Sequence, residues 1–463
     1  MNKVWFLMVS VVLTLSFFSC VKPSHNSPPD DTSVRLDSTN LPIVWIEVNG
    51  DSIMREKRIG ARMKIIHNGN ARLNYADTIA HPGQHIDYVG NIAIRYRGNS
   101  TYMRSPKKPF SIRTLEEPLK HGGKKQRVSL LGMGKDNNWA LLAPYADKSM
   151  IRDALTRELG RPWMEFTPQG RYCELFIDGI YYGVYVLSEV ISKGVHRLDM
   201  TSPGYSGDAL TGDYLMEVDC NDDVTHTSKH HPLTADGKPL MDHRILFQFK
   251  SPEYNNLNKT QRSYIKKRID QMEDALKSGN YDNYIDVKSF IDYQLMMELC
   301  HNVDAYRLSG KLLKRRDSVD PRFKMIVWDT DLAYGNAKHR QSWRTDTWMY
   351  QNNDIMLQEK EVYMVPGWWY WLNNDPRYTS RLKNRWAQLR ATHLSDERVM
   401  ATVDSLVTTL TVNGAEQRNT QAWPRWGVYV WPNYYVATSY ADEIAYIKEW
   451  LTKRIAWMDE QLR

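Results

Sequence analysis

Asn302-Val303-Asp304 and Trp328-Asp329-Thr330-Asp331 are the residues of this chain best suited to chemistry. Each follows an apolar run, Phe290 to Leu299 before the first and Phe323 to Val327 before the second. Each therefore reads as a loop at the end of a buried element. Two carboxylates spaced Asp-x-Asp at a strand end can share a hard cation such as Mg²⁺. A separate loop Asp beside them can orient or deprotonate a hydroxyl. A loop Asp followed by a metal-holding Asp is the order used in phosphoryl transfer. Asp is also common in turns, where it accepts from its own backbone, and the spacing alone leaves both readings open.

The elements around these motifs can be read in order. Alternation predicts strands over Leu41 to Val48, Ala61 to His67, Ile92 to Tyr96 and Pro109 to Arg113. Between the last two, Arg97-Gly98-Asn99-Ser100-Thr101 and Lys107-Lys108 form a small-residue turn and a basic pair. Such a layout can bring backbone N–H groups and a Lys to phosphate oxygens. Met150 to Leu159 has helical spacing. Cys173 to Ile177 and Gly183 to Leu187 flank the Asp178-Gly179 turn as a hairpin, with Glu189 at its edge. Tyr214 to Asp219 and Leu246 to Lys250 read as strands. The stretch between them holds His226, His230, His231 and His243, whose spacing matches no metal motif and reads as a surface loop. Helical periodicity then runs over Tyr264 to Leu276 and Val287 to Cys300. Strands over Arg307 to Lys314 and Lys324 to Trp328 bracket the acidic site. Arg377 to Arg390, Asp396 to Leu410 and Ser439 to Leu462 again have helical spacing. Strands first and helices afterwards is the α+β order.

Composition narrows the class. The chain has 463 residues, 42% hydrophobic and 25% charged, which is a globular balance. Its net charge of +7 is spread over scattered lysines and arginines, which disfavours nucleic-acid binding. Sixteen Trp and 27 Tyr imply a large aromatic core or glycan-stacking platforms. The first residues read as a signal peptide, with Lys3, an apolar Val4 to Phe18, and Ser19-Cys20 at its close. A Cys in that place resembles a bacterial lipobox and reads as the lipidation site of an exported, membrane-anchored lipoprotein of the cell envelope, with ordinary secretion and an unmodified Cys20 as the other reading. The polar stretch Pro23 to Asn40 reads as a tether. Cys173, Cys220 and Cys300 have no paired spacing and read as core residues.

Four stretches together resemble the CotH kinase family, spore-coat-protein-H-like proteins with an atypical protein-kinase-like fold. They are Arg97-Gly-Asn-Ser-Thr with Lys107-Lys108-Pro109-Phe110; Asn138-Trp139 through Asp147-Lys148-Ser149 and Arg152; Glu174 through Asp178-Gly179 to Glu189; and the two acidic motifs. The resemblance runs from about residue 41 to the C-terminus. It implies one domain over 41–463, with a β-rich N-terminal lobe over about 41–200 and a mainly helical lobe over about 205–463. It implies ATP and Mg²⁺ or Mn²⁺ as cofactors and a protein Ser/Thr hydroxyl as acceptor. By the resemblance, Arg97, Gly98, Asn99 and Ser100 touch the nucleotide phosphates, and Lys107 or Lys108 neutralises them. Glu158 is the candidate ion-pair partner of that Lys, and Glu189 lies near the hinge between lobes. Asp304, with Asn302 beside it, takes the acceptor proton, and Asp329 and Asp331 hold the metal.

Three departures accompany the likeness. Ser309 stands five residues after Asp304, where a kinase catalytic loop has the Asn that holds a second metal. Asp331-Leu-Ala-Tyr-Gly335 replaces Asp-Phe-Gly, and no Gly-x-Gly-x-x-Gly loop occurs. An inactive kinase scaffold stays open beside the active one, as does a glycan-binding module using Trp368-Trp369-Tyr370-Trp371 and Trp423 to Trp431.

Overall fold

A computed structural model describes residues 28–69, 72–220 and 225–463. The expected signal peptide, Cys20 and residues 21–27 lie outside them. No helix among the described residues is long and apolar enough to cross a membrane.

Seven strands close into a barrel. In spatial order they are Ile43–Glu47, Ile59–Ile66, Ile86–Tyr96, Phe110–Leu115, Asn138–Leu142, Ile180–Ser188 and Gly170–Ile177. Every pairing is antiparallel except the closure, where Ile43–Glu47 runs parallel to Gly170–Ile177. Period-2 alternation sends Ile65, Ile92, Ile112, Trp139 and Leu175 inward, where each is fully buried. The Asp178-Gly179 turn has both residues at positive φ, 47° and 81°, the geometry that suits a two-residue hairpin to strand twist. The Asp178 carboxylate also accepts from the amides of Val48 at 2.8 Å and Gly50 at 3.0 Å, which ties two turns together.

The second unit is a five-stranded antiparallel sheet, ordered His226–Thr227, Leu246–Ser251, Tyr214–Val218, Gly310–Lys314 and Phe323–Ile326. Helices Lys259–Ser278 and Val287–Cys300 contribute to the core it shares with the C-terminal helices. Val287–Cys300 is buried from Ser289 to Cys300, as expected of a helix apolar all round. Asp286 caps it by accepting from the Ser289 amide at 2.9 Å. His226 and His230 bond Asp270 and Asp274 of Lys259–Ser278 at 3.0 and 2.9 Å. Among the described residues no group of three His, Cys, Asp or Glu side chains could hold a metal ion.

The fold is α+β, as the order of elements implies, and its β-rich half is a closed barrel. The division expected near residues 200–205 is crossed in both directions. Helix Arg152–Gly160 lies within the barrel's sequence, yet Leu155 and Leu159 belong to the helical core. Trp423, far down the chain, belongs to the barrel core and donates its indole N–H to the Tyr182 carbonyl at 2.8 Å. The expected tether is corrected over its described part. Val34 and Leu36 alternate with polar residues and are buried in the barrel core, and Ser38–Thr39 pairs with Asn74–Tyr75. Trp368, Trp369 and Trp423 are also buried, 2%, 0% and 1% exposed, so these three offer no glycan platform.

Candidate active site

Helix Val287–Cys300 delivers the first motif. It ends at His301 in the left-handed region, φ 47°, which turns Asn302, Val303 and Asp304 out of the helical path. Glu298, in the helix's last turn, ties down the chain around this loop. Its carboxylate accepts from the Tyr306 hydroxyl at 2.8 Å and from the amides of Met349 and Tyr350 at 2.9 and 3.0 Å. Arg454 closes the group with an ion pair at 3.1 Å. The Asp304 carboxylate, 30% exposed, accepts from the Arg307 guanidinium at 2.6 Å. It is reachable by an acceptor and held in one orientation.

The second motif leaves strand Phe323–Ile326. Asp329 sits at φ 63°, and Tyr306, Ser309 and Tyr334 nearby in sequence are also left-handed at 72°, 55° and 50°. Such strain costs on the order of 1–3 kcal/mol per residue and concentrates at functional sites. The Asn302 side-chain amide donates to the Asp329 carbonyl at 3.1 Å, which joins the two motifs directly. Asn336 donates to the Asp331 carbonyl at 2.9 Å. The amide and hydroxyl of Thr330 both donate to Asp153 at 3.2 Å. Asp153 in turn pairs with Arg157 one helical turn on, at 2.6 Å. Arg157 and Arg97 both lie over the Trp328 ring, 5.3 and 5.6 Å from its centroid.

Trp328, Asp329, Asp331, Asp153, Arg157 and Arg97 line one cavity of about 530 Å³; Asn302 and Asp304 are not among its lining residues. Arg97, Gly98, Asp153, Arg157, Asp329 and Asp331 form its polar end. Leu41, Leu142, Ala143, Met150 and Val186 form an apolar wall. A flat aromatic base fits the apolar wall and an anionic tail the polar end. Gly98, at φ 82°, permits the turn from Arg97 into helix Ser100–Arg104.

The electrostatics of the polar end are unbalanced. Asp329 is open to the cavity but enclosed by protein behind, and that enclosure, with Asp153 and Asp304 adding to it, pushes its carboxyl up to about 6. Arg97 and Lys311 oppose the rise. Asp331 is driven well above the carboxylate range by burial, then by Asp329, Asp153, Asp147 and Asp304, with no cation among its main electrostatic neighbours. A divalent cation would relieve this crowding. Mg²⁺ needs only one or two carboxylates when phosphates and water supply the rest, so Asp329 and Asp331 fit such an ion.

The other expected residues lie elsewhere. Asn99 and Ser100 are exposed and do not line the cavity; Asn99 accepts from Arg55 at 3.3 Å. Lys107 is fully buried and donates to the Val184 carbonyl at 2.6 Å and Asn419 at 2.7 Å. Lys108 donates to the Tyr102 carbonyl at 2.5 Å. Neither lysine lines the cavity. Glu158 does, but its ion pair is with Arg161 at 2.6 Å. Glu189 is buried against Arg197 at 2.7 Å. Asp153 and Arg157 join the site without belonging to any of the motifs. Asp153 and Arg157 have i,i+4 spacing, which in sequence is indistinguishable from an ordinary helix-surface pair.

No match is found among curated proteins. A family model described as CotH kinase protein matches residues 94–458, a span that takes in Arg97, helix Arg152–Gly160, the Asp178-Gly179 hairpin and both acidic motifs, and the chain belongs to the CotH kinase family.

Proposed function

We propose that this protein is an atypical kinase that moves the terminal phosphoryl group of ATP to a Ser/Thr hydroxyl of a protein acceptor. The observation that carries this reading is that Asp329, Asp331 and Asp153 line one cavity with Arg97, while the Asn302 side-chain amide ties the loop that bears Asp304 to the Asp329 carbonyl. In this reading the barrel and the helical unit act as nucleotide and acceptor lobes. The apolar wall takes the base, and Arg97 meets the phosphates. Asp329 and Asp331 would hold Mg²⁺ or Mn²⁺, which when bound neutralises phosphate charge. Asp331 is the stronger candidate for primary ligand, because Arg97 and Lys311 already offset Asp329.

The transfer balances simply. The acceptor oxygen bonds to the terminal phosphorus as the bond to the bridging oxygen breaks. ADP leaves, and the hydroxyl proton passes to Asp304, which Arg307 holds in place. A signal peptide over residues 1–20 would put this chemistry outside the cytoplasm, on a protein anchored through lipidated Cys20.

The test is transfer from γ-labelled ATP with Mn²⁺ to candidate envelope proteins, wild type against Asp304→Ala. Label incorporated by the wild type and lost in the variant is expected; equal incorporation by both would refute the assignment. One observation favours a second reading. Lys107 is committed to the barrel, and a scaffold without the usual phosphate lysine can serve as a binding module that transfers nothing. That reading predicts nucleotide binding with no labelled acceptor.

A further inference from the structure

The segment between helices Ala415–Ala422 and Tyr440–Gln461 carries Asn433 into the interior, 3% exposed. Its side-chain amide donates to the Ala146 carbonyl and to the Asn336 side-chain oxygen, both at 2.7 Å. The backbone follows the same path. The Tyr434 amide donates to the Asn336 carbonyl at 2.7 Å, and the Lys338 amide to the Pro432 carbonyl at 2.9 Å. Asn336 is equally buried and passes its own side-chain amide to the Asp331 carbonyl at 2.9 Å. Ala146 precedes Asp147, which lines the cavity with Asp331. Asp147 accepts from the Arg152 amide at 2.9 Å and so starts the helix that bears Asp153.

Polarity makes these contacts a relay. A carbonyl only accepts, so Ala146 requires the nitrogen of the Asn433 amide. That nitrogen also faces Asn336, which must answer with its oxygen. The Asn336 nitrogen is then left for the Asp331 carbonyl. Each orientation is fixed by the one before it. Among the described residues the Asn433 oxygen is buried without a partner, a cost to the fold with no bond in return. Both side-chain bonds of Asn433 go to the segments that carry Asp147 and Asp331.

We propose that Asn433 is a positioning residue for Asp331: through Asn336 it fixes the backbone that carries this carboxylate, and through Ala146 it holds that backbone in register with Asp147 and the helix of Asp153. The inference rests on the kinase reading above, in which Asp331 is a metal ligand. Asn433 touches neither metal nor nucleotide; it acts as the outer partners of metal ligands do, by holding a ligand's orientation. A carboxylate at position 433 would offer no N–H to either partner. Asn336 would turn its nitrogen to that carboxylate and leave the Asp331 carbonyl.

The test is equilibrium dialysis of the full chain against Mn²⁺ and a non-hydrolysable ATP analogue, with the metal-free melting midpoint recorded beside it. Asn433→Asp should need roughly 10–100-fold more Mn²⁺ than the wild type for half-saturation. Asn336→Ala, which removes the middle of the relay, should do the same, and the double variant should lose no more than Asn433→Asp alone. A lowered midpoint with unchanged Mn²⁺ affinity, or losses that simply add in the double variant, would overturn the inference and leave the kinase reading standing. Should Asn433→Asp fail to fold, Asn336→Ala decides by the same measure. No Mn²⁺ bound by the wild type would overturn the kinase reading and this inference with it.

Discussion

Two groups of carboxylates flank the end of helix Val287–Cys300, and the protein treats them in opposite ways. Glu298 is buried, yet every demand is met: Arg454 pairs with it, and Tyr306, Met349 and Tyr350 donate to it. Asp329 and Asp331, a short way along the chain, face Asp153, Asp304 and each other. Arg97 and Lys311 offset part of the rise at Asp329. A closed network fixes a backbone; an open one stores unmet charge for a ligand to meet. The first group positions the Asn302–Tyr306 loop, which the Asn302 amide ties to the second through the Asp329 carbonyl.

The largest effect should come from breaking the closed group. Glu298→Ala leaves Arg454 buried without its carboxylate, which costs on the order of 3–5 kcal/mol. A lowered denaturation midpoint is expected, and an unchanged midpoint would show the network to be dispensable. Next comes Asp304, the general base of the proposed transfer. Asp304→Ala should cut transfer by roughly 10²–10⁴-fold, with the midpoint shift produced by ATP and metal retained. Loss of both together would assign Asp304 to binding instead.

A pH series separates the open group from the closed one by a different route. The Asp329 carboxyl stands at about 6 in the folded chain, above its ordinary 3.8. It therefore binds its proton more tightly when folded. Metal-free stability should rise as pH falls from about 6 towards 4, and Asp329→Asn should flatten that rise. A wild-type profile that runs parallel to the variant's would deny the crowding. The smallest effect belongs to Glu158. Its pair with Arg161 is 42% and 33% exposed on its two sides, and Glu158→Ala should change stability by about 0–1 kcal/mol.

Much of this is legible in the sequence where the physics is local. Alternation exposes four barrel strands, Asp178-Gly179 marks the hairpin of two more, and Val287 to Cys300 is the helix its apolar run implies, whereas the seventh barrel strand, Asn138–Leu142, is not among the expected strands. Both acidic motifs are loops after buried elements, as their flanks suggest. What escapes is long-range. Lys107 and Lys108 look alike in sequence, but Lys107 turns into the barrel to meet Asn419, 312 residues away. Asp153 and Arg157 become part of the site only because the fold lays Trp328 and Thr330 against their helix. Val34 and Leu36 are too few in a polar stretch to announce that they dock on the barrel.

The open acidic centre is tested most plainly by a melting curve of the full chain with ATP, with Mn²⁺, and with both, in wild type and Asp331→Ala. A ligand that binds only the folded state stabilises it by about 2.7 kcal/mol at a hundred times its dissociation constant. A raised midpoint that needs ATP and Mn²⁺ together and vanishes in Asp331→Ala is expected. A midpoint indifferent to both ligands, or raised equally in the variant, would show that the acidic pair holds no metal–nucleotide complex.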